Sequence, residues 1–378
     1  MSDRKADVAI VGAGILGLAH AYHAARRGRS VVVFERGLRV QGASVRNFGM
    51  IWPIGQPPGE MHQIALRSRE LWVEVLKSAG LPYLPSGSLH LAYRSDEWAV
   101  LNEFQSIAPT LGYDCELLKP DAVLRLSNAV RPNGLLGGIW SPAELTVDPR
   151  VIVARLPEYL SNEFNVRFKF GTAVRYIDLP VIEAGTERWE FEKAIVCGGD
   201  DFETLYPDLF ASSGIDRCKL QMLRTVPQPP GWQLGPALAA GLTLRFYASF
   251  SICGTLEALR KRIAAETPEY DRWVIHGLVS QTADGELTLG DSHEYGKAVD
   301  IFDKVEIDEL MLRYLGTFLQ VPNMRIAQRW HGVYSKHPDK SYVALTPAPE
   351  VRVVTAVGGS GMTLSFGLAE RTINVMEI

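Results

Sequence analysis

The chain has 378 residues, 47% of them hydrophobic and 22% charged, with a formal net charge of −4. That balance describes an enzyme-sized globular protein of two domains and gives nucleic acid no basic surface to bind. Apolar runs stay below the roughly 18 residues a membrane helix needs, and the four cysteines (Cys115, Cys197, Cys218, Cys253) lack zinc or disulfide-framework spacing. No metal site and no transmembrane segment are expected, and a reducing cytoplasm suits the cysteine pattern.

Residues 7–35 read as a strand (7–11), a glycine turn (12–17), a helix to about residue 27 and a second strand (30–34) ending in Glu35. In such a unit Gly12 permits a tight turn, Gly14 admits a pyrophosphate to the backbone, and Gly17 lets the helix pack on the strand. Ile15 and Leu16 open a helix whose free N–H groups favour phosphate. Glu35, followed by Arg36, is placed to accept hydrogen bonds from ribose hydroxyls. Arg4 and Lys5 before an apolar run also suit a signal peptide, but cleavage would destroy this phosphate-binding unit.

The turn-rich stretch 37–49 holds Ser44, Arg46, Asn47, Phe48 and Gly49 and is expected to line the cofactor. Helices are predicted over 60–79, 96–111 and 148–162, the last with Asp148 as N-cap and Pro149 at its first position. Strands at 166–170 and 173–178 bring in Ala173 and Val174. The strand 193–197 runs into Cys197, Gly198 and Gly199, a second approach to the same dinucleotide, and Asp200 and Asp201 are expected to cap a helix at Phe202. Strands follow at 217–226, 242–250, 272–281 and 286–290, with helices at 256–266 and 306–319 and a linker-like surface loop at 227–241. This middle section suggests an antiparallel sheet inserted into the nucleotide-binding domain. Strands 324–334 and 351–357 lead to Gly358-Gly359-Ser360-Gly361 and a last helix, 362–376.

The fold class is therefore α/β (α+β overall), a discontinuous Rossmann-like cofactor-binding domain (1–79, 145–208, 325–378), an FAD-binding domain on the resemblance that follows, with an inserted antiparallel-sheet substrate domain (80–144, 209–324). This arrangement resembles the FAD-dependent amine oxidoreductases of the D-amino-acid oxidase, glycine oxidase and sarcosine oxidase superfamily. The most specific segment, Trp330-His331-Gly332-Val333-Tyr334-Ser335-Lys336-His337-Pro338-Asp339, is similar to the family pattern W-x-G-x-R-P-x-T-P-D. Where glycine oxidase and D-amino-acid oxidase carry a carboxylate-binding arginine, this chain has Tyr334, which cannot supply a charged planar fork. The segments 46–53 and 358–367 further resemble a branch associated with 2-aminoethylphosphonate catabolism.

The resemblance implies hydride transfer from an amine-bearing carbon to FAD, with oxygen or another acceptor taking the electrons. The substrate it implies is a small anionic amine: 2-aminoethylphosphonate or its N-methyl derivative, or else sarcosine, glycine or a D-amino acid. Tyr334 and Lys336 would position it, with Arg46, Arg245 and His337 as further anion-binding candidates; Arg245 pairing with a structural carboxylate is the equal alternative. Gly332, where sarcosine oxidase has its attachment cysteine, implies non-covalent FAD. Gly359, Ser360, Gly361, Met362 and Thr363 would face the cofactor, the N–H groups around Met362 stabilising negative charge on the flavin. An NAD-dependent dehydrogenase and a non-catalytic FAD-binding protein are the alternatives from other classes.

Overall fold

The computed structural model describes residues 4–378. Strand Lys5–Val11 lies at the centre of the first sheet, flanked in parallel by Val31–Glu35 and Glu187–Val196. Val351–Thr355 and Arg167–Phe170 extend the parallel layer on either side. Val8, Ala9, Ile10, Val32 and Val33 are fully shielded, as strands covered on both faces must be.

One face carries helices Ile15–Arg26, Glu60–Ser78, Pro149–Phe164 and Gly361–Val375, which share a core around Leu18, Trp72, Ile152 and Phe366. The other face is covered by a second core around Phe34, Trp189, Phe191 and Phe210. Glycines make the tightest packing possible. A Cβ on Gly17 would lie 1.8 Å from the Gly12 carbonyl oxygen, and one on Gly49 would lie 1.8 Å from the carbonyl oxygen of Val147. The Pro149–Phe164 helix begins with Asp148 accepting from the Arg150 N–H at 2.9 Å, with Pro149 in its first turn.

A second, largely antiparallel sheet is built around strand Asp216–Thr225, with its own core beneath helices Ser95–Ile107, Leu256–Glu266 and Val305–Phe318. Strand Ile326–Lys336 pairs with Asp216–Thr225 along its whole length and so belongs to this sheet, although the expected boundary at 325 gave it to the cofactor domain. The chain crosses between domains at its end, where Lys336 bridges to Val357.

Four further expectations are corrected. Residues 242–250 are not a strand but two 3-10 turns, Gly241–Arg245 and Ala248–Ile252. The true strand is Ala237–Ala240, inside the supposed loop, paired with Ser88–Ala92 and Leu278–Gln281. Of 272–281, only Leu278–Gln281 is strand, because a short helix, Pro268–Arg272, precedes it. Asp201 accepts from the N–H groups of Glu203 and Thr204, but helix begins only at Pro207.

Candidate active site

Between the two sheets lies a cavity of about 770 Å³. Its floor is made by the three glycine turns, at residues 12–16, 197–199 and 358–361, which the parallel strands deliver to one edge. Gly12 has φ +99°, and a Cβ there would meet the Cys197 carbonyl oxygen at 2.4 Å, so the first and second turns interlock through backbone. A Cβ on Gly14 would approach Ser44 Oγ at 3.0 Å, and Ser44 Oγ in turn accepts from the Ile15 N–H at 2.9 Å. The Ile15–Arg26 helix thus opens on the cavity with no acid in its first turn and no side-chain cap from Gly14. Glu35 accepts from the N–H groups of Ala13 (3.0 Å) and Gly37 (2.9 Å) and stands on the cavity wall beside Arg36.

The last helix reaches the same cavity from the other side. Thr363 Oγ1 accepts from the Trp52 N–H at 2.9 Å, and Ser360 Oγ accepts from Gln56 at 3.1 Å. Both contacts lock residues 52–56 against the helix start. Ser335 ties the roof to the floor, bonding Thr355 at 2.9 Å and accepting from the Ala356 N–H at 3.0 Å.

Of the residues singled out in the sequence, Gly12, Gly14, Ile15, Leu16, Glu35, Arg36, Ser44, Arg46, Asn47 and Phe48 line this cavity. So do Ala173, Val174, Cys197, Gly198, Gly199, Gly332, Tyr334, Lys336 and residues 359–363. Four do not. Gly17 and Gly49 instead face backbone carbonyls, where any side chain would collide. His337 turns away toward Gly214 and accepts from the Asp339 N–H at 3.0 Å. Arg245 is buried off the cavity, paired with Asp271 and set over the Phe246 ring at 4.5 Å, because the 3-10 turn points it opposite to the expected strand direction. Arg46 lines the cavity, with its guanidinium donating to the His331 carbonyl at 3.1 Å. His331 itself contacts Asp303 at 2.8 Å and is not part of the lining.

The roof joins the expected Tyr334 and Lys336 to residues the sequence reading passed over. Tyr334 is half-buried, and desolvation holds its phenol well above the ordinary range and keeps it a hydrogen-bond donor. Lys336 Nζ lies 3.3 Å from the Tyr295 hydroxyl and 4.9 Å from the centre of its ring. Beside them stand His276, Asp291 and His293, with donor atoms within 4.8 Å of one another. Burial pushes the Asp291 carboxyl up to about 7 and the His293 imidazole down to about 3, and it also lowers His276. The open end of one hairpin brings the three together. Leu278 pairs with Gly290, but the His276 N–H then donates to the Asp291 carbonyl at 2.8 Å, one residue out of step with the ladder. Extending the hairpin in register would pair His276 with Ser292, so the sequence carried no signal for the group.

Three glycine turns meeting at two helix starts, roofed by a separate sheet with a polar, partly cationic wall, define a dinucleotide-dependent oxidoreductase site. The FAD dependent oxidoreductase (DAO) family model matches residues 7–374, and the chain belongs to that family. It is thus an FAD-dependent oxidoreductase, and the NAD-dependent and non-catalytic alternatives fall away. The same fold recurs in glycine oxidase from Geobacillus kaustophilus (18% identity, TM-score 0.78, covering 99% of this chain and 95% of that one). It recurs in L-proline dehydrogenase from P. horikoshii (18%, 0.76, 99% and 93%) and in L-alpha-glycerophosphate oxidase from Mycoplasma pneumoniae with FAD bound (16%, 0.76, 99% and 95%). Identities this low establish the shared fold alone. No curated protein matches the sequence. The residues fit FAD: Gly12 and Gly14 leave the cavity floor free of side chains, Glu35 stands on the wall where a ribose could donate to it, and the last helix starts on the lining. No helix among the described residues is long and apolar enough to cross a membrane.

Proposed function

We propose that the protein oxidises the C–N bond of a small anionic amine. FAD, when bound, accepts the hydride from the carbon that carries the amine; the resulting imine takes up water and splits into a carbonyl compound and an amine. The observation that carries this reading is the placing of Lys336, a cation with no carboxylate partner among the described residues, beside the half-buried donor Tyr334 on the roof of the FAD cavity. Lys336 draws the substrate's anionic group to one end, and Tyr334 donates to it. The apolar side chains of Phe48, Met50, Leu220 and Met222, also on the lining, exclude water around the reacting carbon. The first-turn N–H groups of helix Gly361–Val375 would carry negative charge on the reduced cofactor.

Lys336 with Lys340 on the same lining suits the greater charge of a phosphonate, which supports 2-aminoethylphosphonate or its N-methyl derivative. Glycine, sarcosine and D-amino acids are the carboxylate-bearing alternatives, in keeping with the glycine oxidase whose fold this chain shares. FAD is held without a covalent bond: Gly332 offers no attachment atom, and burial pushes the Cys197 thiol on the lining up to about 12. The test is an anaerobic screen of flavin bleaching by these five kinds of amine, followed by acid precipitation. Bleaching by an amine and release of free flavin into the supernatant are expected. A flavin that stays yellow with every amine refutes the reading.

A further inference from the structure

The His276, Asp291 and His293 group is not explained by the folding of the roof. Asp291 and His276 are each 6% exposed, yet Asp291 Oδ1, both ring nitrogens of His276 and Nδ1 of His293 have no hydrogen-bond partner among the described residues. A buried polar atom left unpaired is destabilising, and here several sit together on the wall of one cavity. Asp291 Oδ2 lies 3.6 Å from His293 Nε2, too far for a hydrogen bond. The two imidazoles meet edge to face at 4.7 Å, while His276 stacks on Phe246 and His293 on Tyr295. Rings and backbone are thus fixed, and the free atoms have nothing to satisfy them except what enters the cavity.

The surroundings decide the charge of that visitor. Facing the group are Tyr334 and Lys336 from strand Ile326–Lys336, Cys218 from Asp216–Thr225, Tyr295 from strand Glu294–Gly296 on the far side of Asp216–Thr225, and Tyr247 and Arg245 from the 3-10 turns. Lys336 is held at Tyr295, and Arg245 is engaged by Asp271. The tyrosines and the cysteine are pushed up by burial and stay neutral. Among the described residues Asp291 is therefore the one carboxyl group in this wall, and no Lys or Arg pairs with it.

We infer that Asp291 receives the substrate's ammonium group and takes its proton before oxidation, with His276 and His293 positioning the nitrogen. This rests on the amine-oxidising reading above and assigns the opposite end of the substrate from Lys336. The step is a simple proton transfer: one N–H bond of the ammonium breaks, an O–H bond forms on Asp291 Oδ1, and the nitrogen keeps its electron pair. In a desolvated cavity the neutral pair of amine and carboxylic acid is favoured over the separated ions. His276 and His293, held neutral by burial, accept or donate hydrogen bonds to the nitrogen without competing for its proton.

Two measurements on wild type, Asp291→Asn and His293→Gln holoenzymes test this. Calorimetric titration of the dithionite-reduced protein compares 2-aminoethylphosphonate with ethylphosphonate, and sarcosine with butyrate. Wild type is expected to prefer the amino member of a pair by at least about tenfold, and Asp291→Asn to lose that preference while binding the amine-free member unchanged. That unchanged binding also shows that the variant is folded. Anaerobic stopped-flow reduction is then followed across about pH 6 to 10. In wild type the rate at saturating amine levels off above neutral pH. In Asp291→Asn it falls at least about 100-fold at neutral pH and climbs about tenfold per pH unit as the free amine forms. His293→Gln is expected to weaken amine binding while keeping the wild-type pH profile. An unchanged profile in Asp291→Asn overturns the assignment, as does a stoichiometric divalent metal in wild type that is lost from Asp291→Asn. A flavin untouched by every amine, with the calorimetric preference intact, overturns the amine-oxidation reading and leaves the ammonium site standing.

Discussion

Two glycines three residues apart in the first turn do different work, and replacing each by alanine separates packing from cofactor binding. A Cβ on Gly17 would lie 1.8 Å from the Gly12 carbonyl oxygen and 3.3 Å from the Ile10 side chain, both rigid parts of the central strand and turn. The Ile15–Arg26 helix must then move away from a sheet whose residues are fully buried. Such overpacking costs about 1–3 kcal/mol, whether or not FAD is present. A Cβ on Gly14 meets Ser44 Oγ at 3.0 Å, a side-chain atom that shifts by a few tenths of an ångström. The folded apoprotein therefore tolerates Gly14→Ala, but the new methyl stands on the cavity wall where the pyrophosphate passes. The expected loss of FAD affinity is about 10- to 100-fold, or about 1.4–2.8 kcal/mol. Thermal unfolding of the deflavinated proteins and titration with FAD by quenching of its fluorescence give both numbers. Gly17→Ala should lower the melting temperature of the apoprotein by several degrees, and Gly14→Ala should leave it in place while weakening FAD. An apoprotein unaffected by Gly17→Ala would refute the packing argument; equal destabilisation of the apoprotein by both would refute the division of roles.

Lys336→Met should raise the KM for an anionic amine about 10- to 100-fold, the worth of a hydrogen-bonded charge, with a smaller change in the limiting rate of flavin reduction. Arg245→Met should leave that KM unchanged and lower stability by about 1–3 kcal/mol in urea unfolding, because it strips a buried guanidinium from a partly exposed Asp271. Glu144, fully buried, accepts from the Ile54 N–H and from Ser88, each at 2.9 Å, and burial raises its carboxyl from 4.5 to about 7. The folded protein thus keeps a proton that the unfolded chain has already released, so the stability it contributes is present below 4.5 and is lost as pH rises through about 7. Glu144→Gln should flatten that decline, which is worth about 3 kcal/mol at most, in unfolding curves measured across the interval; an unchanged slope would show that other groups cause it.

The glycine-turn side of the cavity was legible because its signals are local. The glycines at 12, 14 and 17, the acid at 35 and the turn at 358–361 each act within one strand–turn–helix unit, and their spacing alone fixes which face each residue presents. The substrate side was not, for reasons that lie in particular residues. Leu242, Leu244 and Phe246 alternate as a strand would, but the chain turns at Gly241 into 3-10 geometry and carries Arg245 away from the cavity. Ala237–Ala240 has none of the β-branched residues that announce a strand, and its pairing comes from its neighbours. Strand Ile326–Lys336 sits beside the cofactor turn in sequence, yet its hydrogen bonds go to Asp216–Thr225 more than a hundred residues away.

The group at His276, Asp291 and His293 shows what kind of information was missing. The turn at Ala283-Asp284-Gly285 is plain in the sequence, and it fixes the register of Leu278–Gln281 against Leu287–Gly290. Continued in that register, the ladder sets Gly277 opposite Asp291 and His276 opposite Ser292, which would put His276 on the other face from Asp291 and His293. The His276 N–H instead donates to the Asp291 carbonyl, one residue out of step beyond Gly290, and the three side chains meet on one wall. The chemistry of the roof therefore depends on a break in register that the turn does not announce. The glycine turns line the place where a cofactor common to a large family would sit, whereas the ends of this hairpin and of strand Ile326–Lys336 set the distance between the carboxylate Asp291 and the cation Lys336. That distance is where discrimination among small anionic amines would reside. Moving the carboxylate one methylene further into the cavity, as Asp291→Glu does, should shift preference toward a shorter amine. The ratio of kcat/KM for glycine over 2-aminoethylphosphonate is the measure, and a ratio unmoved by Asp291→Glu would place the selecting contacts elsewhere.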